Sequence, residues 1–287
     1  MAVRDIPEPA AREAAYQEDY YREGTGERFI RPFEDAAVLF KEQRVRAILR
    51  RAPGPGAILD VGCGRGELLR RFAGRGWTVL GTQLSRTAAD AARRLHDVEV
   101  LAGDLPELVL PAASFDVVTF FHVLEHVERP DAQLAEARRL LRTGGLLVVE
   151  VPDFGDPFFR LLGTRHFCVD PPNHLWFFTE ETLRNLLSRC GFEVTGLSRF
   201  SPEYSPYSQL QNLLNILPGE PSRLYRAMMG NEKGGRLRRE TATWGHALLG
   251  ILLAVPALLL SIVFPAVVAG NTLRVYARPA RSSGAIQ

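Results

Sequence analysis

Three glycines at alternate positions, Gly62, Gly64 and Gly66, follow Asp60 in the stretch ILDVGCGRGELL, Ile58 to Leu69. A residue without a Cβ takes positive φ at little cost and lets a ligand approach the backbone closely. A helix starting at Glu67 offers unpaired N–H groups to a negative ligand group. Such a turn holds a ligand. The spacing is G-x-G-x-G, whereas the dinucleotide fingerprint requires a glycine or alanine where this chain has Glu67. A second group, His122, Glu125 and His126, lies in HVLEHV at i, i+3 and i+4. If the turn is helical, the three share a face. Two imidazoles and a carboxylate suit a divalent cation. Equally, Glu125 and His126 tie down a loop and brace a substrate pocket. A third group, His166 and His174, lies in the long segment 152–178. Imidazole titrates near neutrality and can take a proton from a hydroxyl. His174 is the first candidate for that base and His126 the second. A histidine that anchors the loop is the alternative.

The elements that must position these groups alternate between strand and helix. Short apolar strands are expected at Ile58–Val61, Trp77–Gly81, Val98–Leu101, within Ser114–Phe121, at Leu146–Val151 and at Phe192–Leu197. Helical periods separate them: Ala36–Arg51, the run from Glu67, the run after Ser85, Asp131–Leu141 and Glu180–Arg189. Ser85 and Thr179 are natural N-caps. A full capping box at Thr179 calls for an acid or glutamine where Thr182 stands. The strand at Leu146–Val151 is apolar almost throughout, as a strand covered on both faces is. Segment 152–178 reads as a long loop, and long loops in compact domains are functional or mobile. Tyr16, Tyr20 and Tyr21, with Phe29 and Phe33 beyond, suggest a helical cap near the N-terminus.

The glycine turn resembles motif I of the class I S-adenosylmethionine (SAM) methyltransferases, most closely the small-molecule branch with the ubiquinone-type O-methyltransferases. The resemblance runs from about Tyr16 to Arg199 and resumes at Asn271–Arg278. It implies a doubly wound, seven-stranded, mostly parallel α/β sheet, Rossmann-like, with an apolar helical insertion before the last strand. It implies SAM as cofactor, held by Asp60, Gly62, Cys63, Gly64, Gly66, Gln83, Leu84, Asp104, Leu105 and His122. Gln83 stands where the family carries a ribose-binding acid, and its amide can still bond a hydroxyl without charge assistance. HVLEHV resembles motif IV, and "HL…FT-x-E-T-L" from His174 to Leu183 matches a feature of this branch. Some relatives use E-x-x-E-H here for metal, where this chain begins with His122. No metal is assigned, His122, Glu125 and His126 being the only candidates.

The chain has 287 residues, a formal net charge of +2 and three scattered cysteines. Nucleic acid is not an expected partner, and a reducing, cytoplasmic setting is. The organisation expected is a tail with capping helices over 1–56, a SAM-binding core over 57–199, an insertion over 200–270, the last core strand over 271–278, and a tail over 279–287. Between Ala247 and Ala269 there is no charged residue. As one helix this run would be about 34 Å long, enough for a hydrocarbon core of about 30 Å. A single crossing would put two strands of one sheet on opposite sides of a membrane. Pro256 and Pro265 should break the run into shorter helices. A peripheral membrane contact through 247–269, on the cytoplasmic face, is therefore expected, with a buried hairpin or dimer interface as the alternative. The function expected is SAM-dependent methylation of a small-molecule or lipid-linked acceptor, most simply at oxygen. The alternatives are a nicotinamide-dependent oxidoreductase, or a non-catalytic relative that binds membrane or a partner.

Overall fold

The computed structural model describes residues 41–52, 54–170, 173–225, 236–267 and 271–280. The tyrosines and phenylalanines expected to form an N-terminal cap lie outside them. Two compact units are present. Of the described residues, the sheet unit includes those of 41–151, 179–197 and 274–280, and the second unit those of 152–178 and 198–273.

The sheet unit is built on seven strands: β1 Ala57–Val61, β2 Thr78–Gln83, β3 Val100–Ala102, β4 Phe115–Phe121, β5 Leu141–Pro152, β6 Phe192–Ser198 and β7 Thr272–Pro279. Their order is β3-β2-β1-β4-β5-β7-β6. The pairings of β1 with β2 and β4, of β2 with β3 and of β4 with β5 are parallel. β7 runs against β5: Arg274 reaches Glu150 while Arg278 reaches the Gly144 carbonyl. Insertion of β7 between β5 and β6 departs from the 3-2-1-4-5-6 order of the dinucleotide fold. Helices α1 (41–49), α2 Glu67–Ala73, α3 Arg86–His96, α4 Pro130–Leu140 and α6 Glu180–Arg189 complete this unit. All five residues of β1 are buried, which accounts for its unbroken apolar run around Asp60.

Register places the polar residues in rows. Asp60 lies beside Gly81 of β2 and Thr119 of β4, and Phe121 lies beside Glu150. β2 comes close to the glycine turn. A Cβ on Gly81 would stand 2.6 Å from Cys63 Sγ and 2.8 Å from Leu69 Cδ1.

Several local expectations change. The capping box at Thr179 is complete, because the Thr182 hydroxyl does the work expected of an acid: it accepts from Thr179 N–H at 2.8 Å, and Thr182 N–H donates to Thr179 Oγ1 at 3.3 Å. Segment 152–178 is not a bare loop. It holds α5 Pro157–Leu162 and a 3₁₀ turn Gly163–Arg165. It packs in the second unit with α7 Ser205–Asn215. Arg165 donates to the carbonyls of Asn215, Leu217 and Gly219, satisfying acceptors at and beyond the end of α7.

The expected break at Pro256 is also absent. α8, Arg236–Val267, is one helix that runs through both prolines. An interior proline costs about 3 kcal/mol. Burial on both sides of it, at Gly250 and at Ala257 and Ser261, holds the two halves in line. Among the described residues no helix is long and apolar enough to cross a membrane.

Gly81→Ala should test the closeness of β2 to the glycine turn. Overpacking of this kind costs about 1–3 kcal/mol, read as a lower urea midpoint with unchanged m-value. An unchanged midpoint would mean that Cys63 and Leu69 yield freely.

Candidate functional site

Parallel strands deliver their carboxyl ends to one edge, where ligands of open α/β sheets bind. At the end of β1 the chain turns through Gly62, Gly64 and Gly66 with φ of 66°, 58° and 80°. The Gly66 N–H closes the turn on the Cys63 carbonyl at 3.0 Å. An added Cβ at Gly64 would meet none of the described residues within 4 Å. This is a left-handed backbone that no described residue crowds, as a ligand cradle requires.

Gln83, at the end of β2, is buried, and its Nε2 donates to the Gly64 carbonyl at 3.2 Å. It braces the turn from behind. A carboxylate in its place has no proton to donate to that carbonyl, which is the physical meaning of the departure from the family acid. Leu84 beside it is exposed. Asp104 Oδ1 accepts from Leu105 N–H at 3.1 Å and from Gln133 Nε2. Gln133 is buried, and its Oε1 has no partner among the described residues. It is an acceptor near Asp104 suited to an amino group.

Two expected contacts change character. Cys63 turns into the protein: it is buried, its N–H donates to the Thr82 carbonyl at 3.1 Å, and burial pushes its thiol up, with Asp60 adding to the rise. Leu105 is 1% exposed and its N–H is taken by Asp104, so it is a core residue and not an open lining.

Asp60 is buried, with Oδ1 accepting from Thr119 Oγ1 at 2.6 Å. Burial raises its carboxyl to about 6 against the opposing pull of Thr119, Arg44 and Lys41.

β4 ends at His122, a non-glycine residue with φ of 56°. HVLEHV is a turn and not a helix. His122 and Glu125 nevertheless meet, Nδ1 to Oε1, at 3.1 Å, and the other ring nitrogen lies 3.3 Å from Glu150 Oε1. Burial alone would lower the imidazole, but Glu125 and Glu150 outweigh it and raise it to about 9. His122 is therefore an imidazolium between two carboxylates. Glu125 and His126 each bring a ligand atom within 4.8 Å of the other's.

Glu150 is the group sequence reasoning missed. Fully buried in β5, it accepts from Arg44 Nη2 at 2.7 Å and from Arg274 Nε. Burial would raise its carboxyl, yet Arg274, Arg44 and His122 together hold it well below the carboxylate range. The Arg44 guanidinium also lies 4.4 Å from the Phe121 ring centroid. A signal was present: Glu150 is the lone charge in Leu146–Val151, and Arg274 the lone charge between Asn271 and Ala277.

In the second unit His174 Nδ1 donates to the Cys168 carbonyl at 2.7 Å. In a neutral ring that bond would leave the lone pair on Nε2. His166 is buried, with Nδ1 accepting from Cys168 N–H at 3.2 Å and Nε2 facing Asn212 at 3.0 Å and Asp156 at 3.6 Å. It is an anchor of the segment.

The residues at the strand ends fit the proposed cofactor. The turn at Gly64 would take the ligand against backbone, and Gln133 and Asp104 would offer acceptors to an adenine amino group.

A family model described as a methyltransferase domain matches residues 34–197. A ubiquinone biosynthesis O-methyltransferase of Thiobacillus denitrificans is 40% identical over 111 residues, covering 36% of this chain and 47% of that protein. A Mycolicibacterium smegmatis protein described as a probable SAM-dependent methyltransferase is 33% identical over 177 residues, covering 59% of this chain and 65% of its own length. The chain spans about half the length of the curated relatives it matches. The crystal structure of a SAM-dependent methyltransferase from Archaeoglobus fulgidus aligns with a TM-score of 0.54 at 19% identity, covering 84% of this chain and 94% of that one.

His122 makes a pH-dependent contribution of definite sign. Its folded value lies above the ordinary 6.5, so its stabilisation is complete below about pH 6.5 and is lost as pH rises through about 9. Urea unfolding of the wild type should show stability falling across that window. His122→Gln should be flatter there, and an identical slope in both proteins would remove the imidazolium.

Proposed function

We propose that this chain, which belongs to the methyltransferase-domain family and has the class I fold of SAM-dependent methyltransferases, transfers a methyl group to an oxygen of a small-molecule or lipid-linked acceptor. The observation that carries this reading is the left-handed turn at Gly64 on the carboxyl edge of β1, which no described residue obstructs. Oxygen as the acceptor atom is supported by the ubiquinone biosynthesis O-methyltransferases among the relatives. The nicotinamide reading falls with the family match and with β7 standing between β5 and β6.

When bound, SAM supplies a methyl group already made electrophilic by its sulfonium. The protein's task is then to hold acceptor and methyl in line and to keep water away. Gly62, Gly64 and Gly66, with Asp60 and Gln83, would form the cradle, and Asp104 and Gln133 would meet the adenine. His122 stands at the end of β4 with its two ring nitrogens facing the carboxylates of Glu125 and Glu150, and would border the cofactor there. A weakly acidic hydroxyl needs a base, and His174 Nε2 is our assignment, with His126 second. The free cysteines support a reducing setting, and we place the reaction at the cytoplasmic face of a membrane that carries the acceptor. No metal is assigned a role.

Two measurements test this. Gln83→Asp removes the donor to the Gly64 carbonyl. It should weaken SAM binding in calorimetry by about tenfold, the order of a lost hydrogen bond; tighter binding would mean that position 83 serves the ribose alone. Membrane lipid extract incubated with methyl-tritiated SAM should become labelled in a form stable to mild alkali, as ethers are and esters are not. His174→Gln should lower that rate by roughly 10²–10⁴-fold without weakening SAM binding. SAM binding with no label transferred to any extract would favour the non-catalytic relative.

A further inference from the structure

The second unit carries a helix whose hydrophobic pattern is inside out. Eight branched aliphatic side chains between Leu248 and Val263, among them Ile251, Leu252, Val255 and Leu259, are 45–72% exposed. They recur at three- and four-residue steps and so form one stripe along α8. The fully buried positions described carry small residues, Gly250, Ala257 and Ser261, with Leu249, Leu253 and Leu260 partly buried beside them. A Cβ at Gly250 would stand 3.4 Å from Leu224 and 4.0 Å from Leu214 of α7. Helices packed in water bury their large aliphatic residues. Helices packed in lipid bring small residues together and turn large ones outward.

We infer that this stripe lies in one leaflet of an anionic membrane, with α8 parallel to the surface. Three observations select lipid over a protein partner. Among the described side chains of α8 the exposed ones of this stripe are Leu, Ile and Val, whereas a specific protein interface adds aromatic or arginine anchors and about ten hydrogen bonds. The stripe spans about 24 Å of helix at 1.5 Å per residue, and an interfacial helix buries such a face about 5–10 Å deep. Charge is segregated to one end of the segment: Lys233, Arg236, Arg238 and Arg239 stand against Glu232 and Glu240, and from Thr241 to Leu273 there is no Asp, Glu, Lys or Arg. Basic residues beside an interfacial helix are drawn to anionic headgroups. The inference rests on the proposed function only in taking a membrane as the place where the acceptor is met.

The test is flotation of the full chain with vesicles that contain no acceptor, so that a wrong acceptor leaves the result untouched. The wild type should float with phosphatidylcholine–phosphatidylglycerol vesicles and much less with phosphatidylcholine alone. Leu252→Asp with Leu259→Asp should lower the bound fraction by at least about tenfold, since the stripe drives insertion. Leu252→Met with Leu259→Met should still float. Both pairs alter exposed positions, and unchanged circular dichroism and melting would confirm that they fold. Two results overturn the inference: a folded wild type that stays unbound to both vesicle types, or a dimer by light scattering that the Asp pair splits while flotation is unaffected. Flotation with no labelled lipid in the transfer assay would instead overturn the proposed acceptor alone.

Discussion

A single carboxylate ties the sheet unit together. Glu150 receives Arg44 from α1 and Arg274 from β7, and it faces the His122 imidazole at the end of β4. It is entirely out of water. A buried charge is tolerable only when its partners offset the lost hydration, and removing one partner of such a pair costs about 3–5 kcal/mol. Here two guanidiniums and an imidazolium share that role, and the second carboxylate, Glu125, balances the imidazolium from the other side. The left-handed backbone of His122 is held in the same arrangement: its N–H donates to the Glu150 carbonyl at 2.8 Å.

The glycine turn depends on a different kind of support. Gln83 braces the Gly64 carbonyl with an amide proton, and Cys63 fills the space left by Gly81. The turn is thus shaped by its neighbours before any ligand arrives.

Much of this was legible from residues alone. The strand–turn–helix at Asp60–Glu67, the caps at Ser85 and Thr179, and the position of β7 beside β6 follow from periodicity, glycine spacing and resemblance. What escaped were interactions between distant residues. Glu150 and Arg274 looked like isolated charges in apolar strands, and only pairing across adjacent strands makes them one group. The spacing in HVLEHV is compatible with a helix, yet His122 turns the chain left-handed, with its N–H on the Glu150 carbonyl. Pro256 signalled a break by a local rule that burial on both sides overrides. The familiar capping box uses a longer side chain where Thr182 stands, yet the Thr182 hydroxyl reaches the Thr179 N–H.

The order of synthesis adds a consequence of β7. Glu150 lies 124 residues ahead of Arg274. At ribosomal speeds of about 5–20 residues per second, that interval is on the order of ten seconds. Throughout it the nascent sheet carries a carboxylate that lacks one of its two guanidiniums, and β5 lacks its neighbour. The apolar α8 emerges within the same interval, so the chain presents its greasiest segment to the cell while its sheet is still open.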